Sequence, residues 1–385
     1  MRFAERMNHL GTETAFEVFA RAKALEAKGR DIVHLEIGEP DFDTPKNIVD
    51  AAMNAIGKGY THYGPSAGLP EARAAIAEYV ARTRGVAVDP LQVVITPGAK
   101  PIIFFTVLAL LDPGDEVIYP DPGFPIYESM AQYVGAKRVP LPLKEENNFA
   151  FDPDQLESLI TKKTRLVIIN SPHNPTGGVL PKETIARLSE LAVKHDFYVL
   201  SDEIYSRVIY DGAQNYSPYY YPGMPERTII LDGHSKTYAM TGWRLGYGVF
   251  PKEMAARVAK LQTNSTSCTC SFTQIAGVEA LQGPQDSVDA MLKEFKTRRD
   301  LVVDGLNKIK GFRCHRPSGA FYVFPNITGT GKTSKEVENY LMEEAGVAVL
   351  AGTSFGPQGE GFVRLSYANS QANLKKAIER IAGAF

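Results

Sequence analysis

The sequence predicts an α/β protein, with a mostly parallel sheet in a large domain and a smaller α+β domain. Three observations carry that reading. Between residues 92 and 233 short apolar strands alternate with helices, the rhythm of β-α-β crossovers. The 385 residues suit about two domains, at roughly 100–200 residues each. After residue 285 the alternation gives way to long helices separated by a few strand-like runs.

The elements follow in order. TAFEVFARAKALEAKG, 14–29, has an apolar stripe and a glycine stop, and predicts the first helix. IVHLEI, 32–37, reads as a short strand running into the loop GEPDFDTP. Helices over 45–56 and 69–84 are separated by GKGYTHYGPSAG, an aperiodic loop rich in glycine and aromatic residues. QVVIT then leads through PGAK into an apolar helix over 100–111, and DEVIYP through DPGFP into a helix over 125–134. RLVIIN leads through SPHNPTGG into a helix over 181–195, and FYVLSDEIY and RTIILDG continue the series. Helices over 285–309 and 333–345 flank FRCHRPSGAFYVFP, and VRLSYA precedes a last helix over 371–382. The expected division is 1–44 as an N-terminal segment joining the small domain, 45–284 as the large domain and 285–385 as the small one.

Composition removes several classes. Lys plus Arg number 42 against 44 Asp plus Glu, so no global charge attracts nucleic acid or an anionic membrane. The opening MRFAERMNHLGTE lacks the apolar core of a signal peptide, and IIFFTVLALL is too short to span a bilayer. Cys268, Cys270 and Cys314 form no CxxC pair and have no zinc-site spacing; they read as reduced thiols of a cytoplasmic protein.

In open parallel sheets, ligands gather beyond the carboxyl ends of the strands. Gly98, Ala99, Lys100, Phe124, Asn174, Asp202, Tyr205 and Lys236 all fall there. Lys236, in GHSKTYAMTGWRLGY, is either a solvated charge or an amine with a use. That use would be a Schiff base with pyridoxal phosphate, followed by proton shuttling. Arg244 downstream suits a fixed phosphate or carboxylate contact. Asp202, in SDEIY, is either a helix N-cap or the partner of a pyridine nitrogen, with Tyr205 at the ring hydroxyl. Asn174, in NSPHNPTGG, either caps a rigid turn or lies beside Asp202 and Lys236.

Taken in order, GEPDFDTP, YGPSAG, TPGAK, DPGDEV, SPHNPTGG, SDEIY, SKTYAMTGWRLGY, RPSGAFYV and VRLSYANS resemble one family along almost the whole chain. The set looks like the class I/II aminotransferases of the fold-type I pyridoxal-phosphate enzymes, and within them the bacterial aspartate and aromatic aminotransferase group. The resemblance implies that Lys236 holds the cofactor and moves the proton, and that Asp202 pairs with the pyridine nitrogen. It implies that Tyr205 and Asn174 bond the ring oxygen and that Phe124 stacks on the ring. Gly98, Ala99, Lys100, Ser235 and Arg244 would receive the phosphate. Tyr63 would reach that phosphate from a neighbouring subunit, making the enzyme a homodimer. Arg364 would clamp the substrate α-carboxylate, with Gly38 packed against the substrate. The expected reaction moves an amino group between an amino acid and a 2-oxo acid. Glutamate with 2-oxoglutarate would be one pair, and aspartate or an aromatic or aliphatic amino acid the other donor.

Two departures stand out. Gly233 occupies a position where the family usually places Ser or Thr, and His234 one where an apolar residue is commoner. A hydroxyl contact to the phosphate is therefore expected to be missing, and His234 to be structural. Lys100 matches a position that contacts the distal carboxylate of acidic substrates in some relatives, but the N-terminal ETAFEVF is apolar and acidic where such a substrate needs help. Two alternatives use the same residues. One is β-elimination at cysteine conjugates; the other is a non-enzymatic, aminotransferase-like ligand-binding module.

Overall fold

Residues 2–385 are described by a computed structural model. The strands are β1 (Val33–His34), β2 (Val93–Pro97), β3 (Glu116–Asp121), β4 (Lys137–Pro142), β5 (Thr164–Asn170) and β6 (Tyr198–Asp202). They continue with β7 (Thr228–Gly233), β8 (Leu245–Val249), β9 (Tyr322–Val323), β10 (Val347–Ala348), β11 (Leu350–Ala351) and β12 (Val363–Ser366). The helices are α1 (Thr14–Glu26), α2 (Lys46–Gly57), α3 (Pro70–Arg84), α4 (Lys100–Leu110), α5 (Ile126–Tyr133) and α6 (Pro153–Leu159). After them come α7 (Lys182–His195), α8 (Lys252–Thr266), α9 (Ser271–Gln282), α10 (Asp286–Leu306), α11 (Ser334–Tyr340) and α12 (Gln371–Ala384).

Seven strands make one sheet in the order β2-β8-β7-β6-β5-β3-β4. The run from β7 to β4 is parallel, and β8 is antiparallel to both of its neighbours. Such a sheet is covered on both faces, so its inner strands are apolar runs rather than alternating, while edge strand β4 exposes Lys137 and Arg138. In β5, Leu166 and Ile168 pack into one core cluster while Val167 and Ile169 pack into another on the opposite face. Helix α7 covers the second cluster with Ile185, Leu188, Leu191 and Ala192, one stripe at helical spacing. A separate antiparallel sheet, β11-β12-β9, lies near the C-terminus, and β1 pairs in parallel with β10, Val33 opposite Val347.

Several elements differ from the sequence expectation. The strand expected over 32–37 keeps only Val33–His34, because the Leu35 carbonyl accepts from Ser366 N and the Glu36 carbonyl from Arg364. The first helix ends at Glu26, and Gly29, at φ 83°, turns the chain. The helix expected over 333–345 ends at Tyr340, its last turn widened to a π-turn over 341–345. Helices α8 and α9 were not expected from sequence, although α8 carries a stripe of Met254, Ala255 and Val258; α9 has no clear stripe. In α9 the buried face includes Ser271, Thr273, Gln274 and Gly277, which read as surface residues in a sequence. Among the described residues, no helix is long and apolar enough to cross a membrane.

Candidate active site

The carboxyl ends of β5, β6 and β7 are in register, Asn170 beside Asp202 and Asp202 beside Leu231. The antiparallel β8 begins at the same edge, where Leu245 pairs with Pro97 and Gly246 with Gly233. Above this edge lies a cavity of about 480 Å³, closed by residues 13–16 and 37–39 and by Tyr322 and Arg364. It is lined by Gly38, Ala99, Lys100, Phe124, Asn174, Asp202, Tyr205, Ser235, Lys236, Arg244 and Arg364, eleven of the residues singled out from sequence. Gly98 lies just behind it, against Arg244. Tyr63 is elsewhere and 90% exposed.

Lys236 follows β7 and reaches back across the cavity, its Nζ donating a 2.6 Å hydrogen bond to the Gly38 carbonyl. Burial pushes the amine's pKa down to about 8; nearby Arg364 pushes the same way and Glu39 opposes. Asp202, at the end of β6, accepts a 2.6 Å hydrogen bond from Tyr127 Oη and one of 3.3 Å from the Ile204 amide. Burial nevertheless lifts its pKa to about 7. Two other buried carboxylates, Glu203 and Asp232, share a cation instead, because buried Arg84 bonds both, at 2.8 and 2.9 Å. Asp202 therefore remains an acid facing the cavity without a cationic side chain to neutralise it.

Asn170 organises the loop after β5. Its Nδ2 donates to the Asp202 carbonyl and its Oδ1 accepts from the Asn174 amide, at 2.9 and 2.8 Å. Asn174 Oδ1 in turn accepts from Arg364 Nη1 at 3.1 Å. Arg364, on β12, is 4% exposed, and its Nη2 donates to the Glu36 carbonyl. Its guanidinium lies 4.5 Å from the Tyr322 ring centroid and 4.9 Å from that of Phe355, and its buried Nε has no partner. These hydrogen-bonding partners are neutral oxygens, so the cation keeps its charge, and donors beyond those two bonds, for an anionic ligand. Tyr205 Oη shares a 2.6 Å hydrogen bond with Tyr322 Oη.

The remaining wall is a cup. Helix α4 presents its N-terminus there after Gly98, whose φ of 87° suits glycine. Arg244 Nη1 donates to the Thr241 carbonyl at 2.7 Å, and the guanidinium packs on Gly98. A Cβ at Gly246 would stand 2.5 Å from the Gly98 carbonyl carbon, so β8 touches the cup loop with nothing between. Helix N-terminus and guanidinium together could receive an anion.

The departures have a structural account. A Cβ at Gly233 would lie 3.1 Å from both Gly246 Cα and the Leu245 oxygen, so β8 has closed over the place where a hydroxyl side chain would stand. His234 is buried away from the cavity, bonds the Gly277 carbonyl at 3.3 Å, and is kept neutral by burial, with a pKa near 4. Sequence reasoning did not single out Tyr127, Asn170, Tyr322 or Glu13, although the last three lie within quoted motifs and Tyr127 lies two residues beyond DPGFP.

The cup, the unneutralised acid, the cavity amine and the unpaired Arg364 donor fit a phosphorylated pyridine aldehyde and a carboxylate substrate. The profile of the family "Aminotransferase class I and II" matches residues 30–381. The chain belongs to the class I and II aminotransferases. This aminotransferase uses pyridoxal 5'-phosphate and moves an amino group between an amino acid and a 2-oxo acid. It is 44% identical to an aspartate aminotransferase of Pyrococcus horikoshii, over 98% of this chain and 96% of that one. It is 40% identical to aromatic-amino-acid aminotransferase 2 of Thermococcus litoralis, over 99% and 97% of the two chains. The Thermus thermophilus aspartate aminotransferase structure with maleate superposes with a TM-score of 0.95 at 40% identity, covering 100% of both chains. These neighbours have the fold-type I architecture expected from sequence.

Proposed function

We propose that Lys236, Asp202 and Arg364 form the working centre of this aminotransferase, with glutamate and 2-oxoglutarate as one substrate pair. The observation that carries the proposal is their convergence on one cavity, each with an unsatisfied chemical need: an amine softened to a pKa of about 8, an acid without a cation, and a cation without an anion. When bound, the cofactor supplies an electron-withdrawing ring that spreads charge from the substrate α-carbon.

Lys236 would hold the cofactor, and its free Nζ would take the substrate Cα proton and deliver it to the carbon on the other side of the transferred nitrogen, with a pKa suited to both taking and giving. Arg364 holds the α-carboxylate and fixes which bond faces the amine. Asp202 pairs with the ring nitrogen, oriented by Tyr127, while Tyr205 and Asn174 bond the ring oxygen and Phe124 packs on the ring. The amides of Gly98, Ala99 and Lys100, with Ser235 and Arg244, hold the phosphate. Gly38 packs against the substrate, and its lack of a side chain is what lets the Tyr322 ring close on it: a Cβ there would meet Tyr322 Cζ at 2.9 Å.

The proposed unit is a homodimer in which Tyr63 reaches the partner's phosphate. Its 90% exposure, with Met53 and Ile56 of α2 also exposed, supports a covered face. We further propose the division into 1–44, 45–284 and 285–385, supported by the pairing of Val33 with Val347. The test of the centre is borohydride reduction of the holoenzyme followed by peptide mapping. The adduct is expected on Lys236 and absent from Lys236→Ala; an adduct on another lysine would overturn the assignment.

A further inference from the structure

The part of the cavity beyond Arg364 would receive the substrate side chain, and its charge is unusual. Lys100 Nζ is within reach of the cavity, 5.5 Å from the Phe124 ring centroid. An available ammonium there would favour substrates with a second carboxylate. Instead Lys100 is bonded to the carboxylate of Glu13, which lines the same cavity from the residue preceding α1. Glu13 caps no helix amide and its pairing is with a residue 87 positions away. Ala15, Phe16, Ile37 and Phe124 line the same cavity and give it an apolar surface beside its polar groups.

Resting on the aminotransferase reading, we infer that Glu13 is a specificity residue: by occupying Lys100 it lowers the subsite's preference for a second carboxylate, so that amino donors with apolar or aromatic side chains gain on acidic ones while glutamate remains a substrate. A dicarboxylate must displace Glu13 to reach Lys100 and brings a second negative charge beside it. A neutral side chain leaves the ion pair in place and packs on Phe16 and Phe124. Both members are partly solvated, side-chain exposures being 45% for Lys100 and 22% for Glu13, so screening keeps the effect moderate. A tenfold preference, about 1.4 kcal/mol, is the expected scale.

The experiment uses the holoenzyme as wild type, Glu13→Gln, Glu13→Ala and Glu13→Gln/Lys100→Ala. Dissociation constants are measured by calorimetry for two non-reacting acids, succinate and 3-phenylpropionate. The ratio of kcat/KM for aspartate to that for phenylalanine is measured alongside. Removing the Glu13 charge should tighten succinate about tenfold relative to 3-phenylpropionate and raise the aspartate ratio similarly, and the added Lys100→Ala should erase both gains. A succinate affinity unchanged within twofold in both Glu13 variants, an equal gain for 3-phenylpropionate, or a gain that survives Lys100→Ala overturns the inference. Wild-type enzyme that transferred no amino group would sink the aminotransferase reading instead, and the titrations would still report on Glu13.

Discussion

Replacing Gly246 by alanine tests whether the cup is held in place by direct backbone contact. The added Cβ would stand 2.5 Å from the Gly98 carbonyl carbon and 2.7 Å from Ala99 Cα. Carbon atoms rest at roughly 3.5–4.0 Å, so the overlap is about 1 Å. Strand β8 cannot give way, because it is hydrogen-bonded to β2 on one side and β7 on the other. The loop carrying Gly98 and Ala99 must retreat instead, and with it the amides at the start of α4. Overpacking of this kind costs about 1–3 kcal/mol of stability. A catalytic geometry displaced by about 1 Å loses on the order of 100-fold in rate. The assay is a pyridoxal-phosphate titration of apoenzyme followed by turnover of the reloaded protein, beside thermal denaturation. Gly57→Ala is the control, since nothing lies within 4 Å of a Cβ there. Gly246→Ala that binds cofactor within threefold of wild type and turns over normally would refute the reasoning.

Lys236→Met should stabilise the apoprotein, and the gain should depend on pH. The amine's pKa, about 8 when folded, lies below its unfolded value, so the unfolded chain binds more protons between pH 8 and roughly 10. The penalty is full below pH 8 and fades above it: Lys236→Met is expected to be about 2–3 kcal/mol more stable at pH 7, with the gap closing towards pH 10 in urea titrations. A gap that ignores pH would count against a buried, softened amine. Tyr63 gives a test of shared sites. Lys236→Ala and Tyr63→Ala homodimers are each expected to be impaired, the second through weaker cofactor binding. Mixing them at limiting cofactor should restore about a quarter of wild-type activity, because each mixed dimer carries one intact site. No recovery after subunit exchange would argue that Tyr63 serves its own subunit or none.

The main sheet was legible because its strands are continuous apolar runs ending in polar, turn-rich loops, as RLVIIN ends in SPHNPTGG. The carboxyl-end rule places Asp202, Asn174 and Lys236 at one edge, and in the structure all three line one cavity. Tyr127 and Tyr322 were missed because an aromatic ring in DPGFPIY or RPSGAFYV reads as core until its hydroxyl is seen on Asp202 or Tyr205. Their polar tips have no periodicity. The closure over Gly233 was equally invisible: it depends on β8 folding back antiparallel to β7, a long-range fact. Glu13 lay in a segment noted for its acidity, but its pairing with Lys100 spans 87 residues and only the fold brings them together.

The Arg364 contacts also set an order of assembly. Lys236, Asp202 and the cup belong to consecutive stretches of one sheet, whereas Arg364 meets Asn174 across 190 residues and the Glu36 carbonyl across 328. During synthesis, the parts assigned to the cofactor are out of the ribosome well before the arginine assigned to the substrate is made. A nascent chain therefore carries the residues proposed for the cofactor before it carries the one proposed for the amino acid. The near-terminal strand β12 then stitches the N-terminal segment over the cavity, turning a cofactor carrier into a site that can hold a substrate.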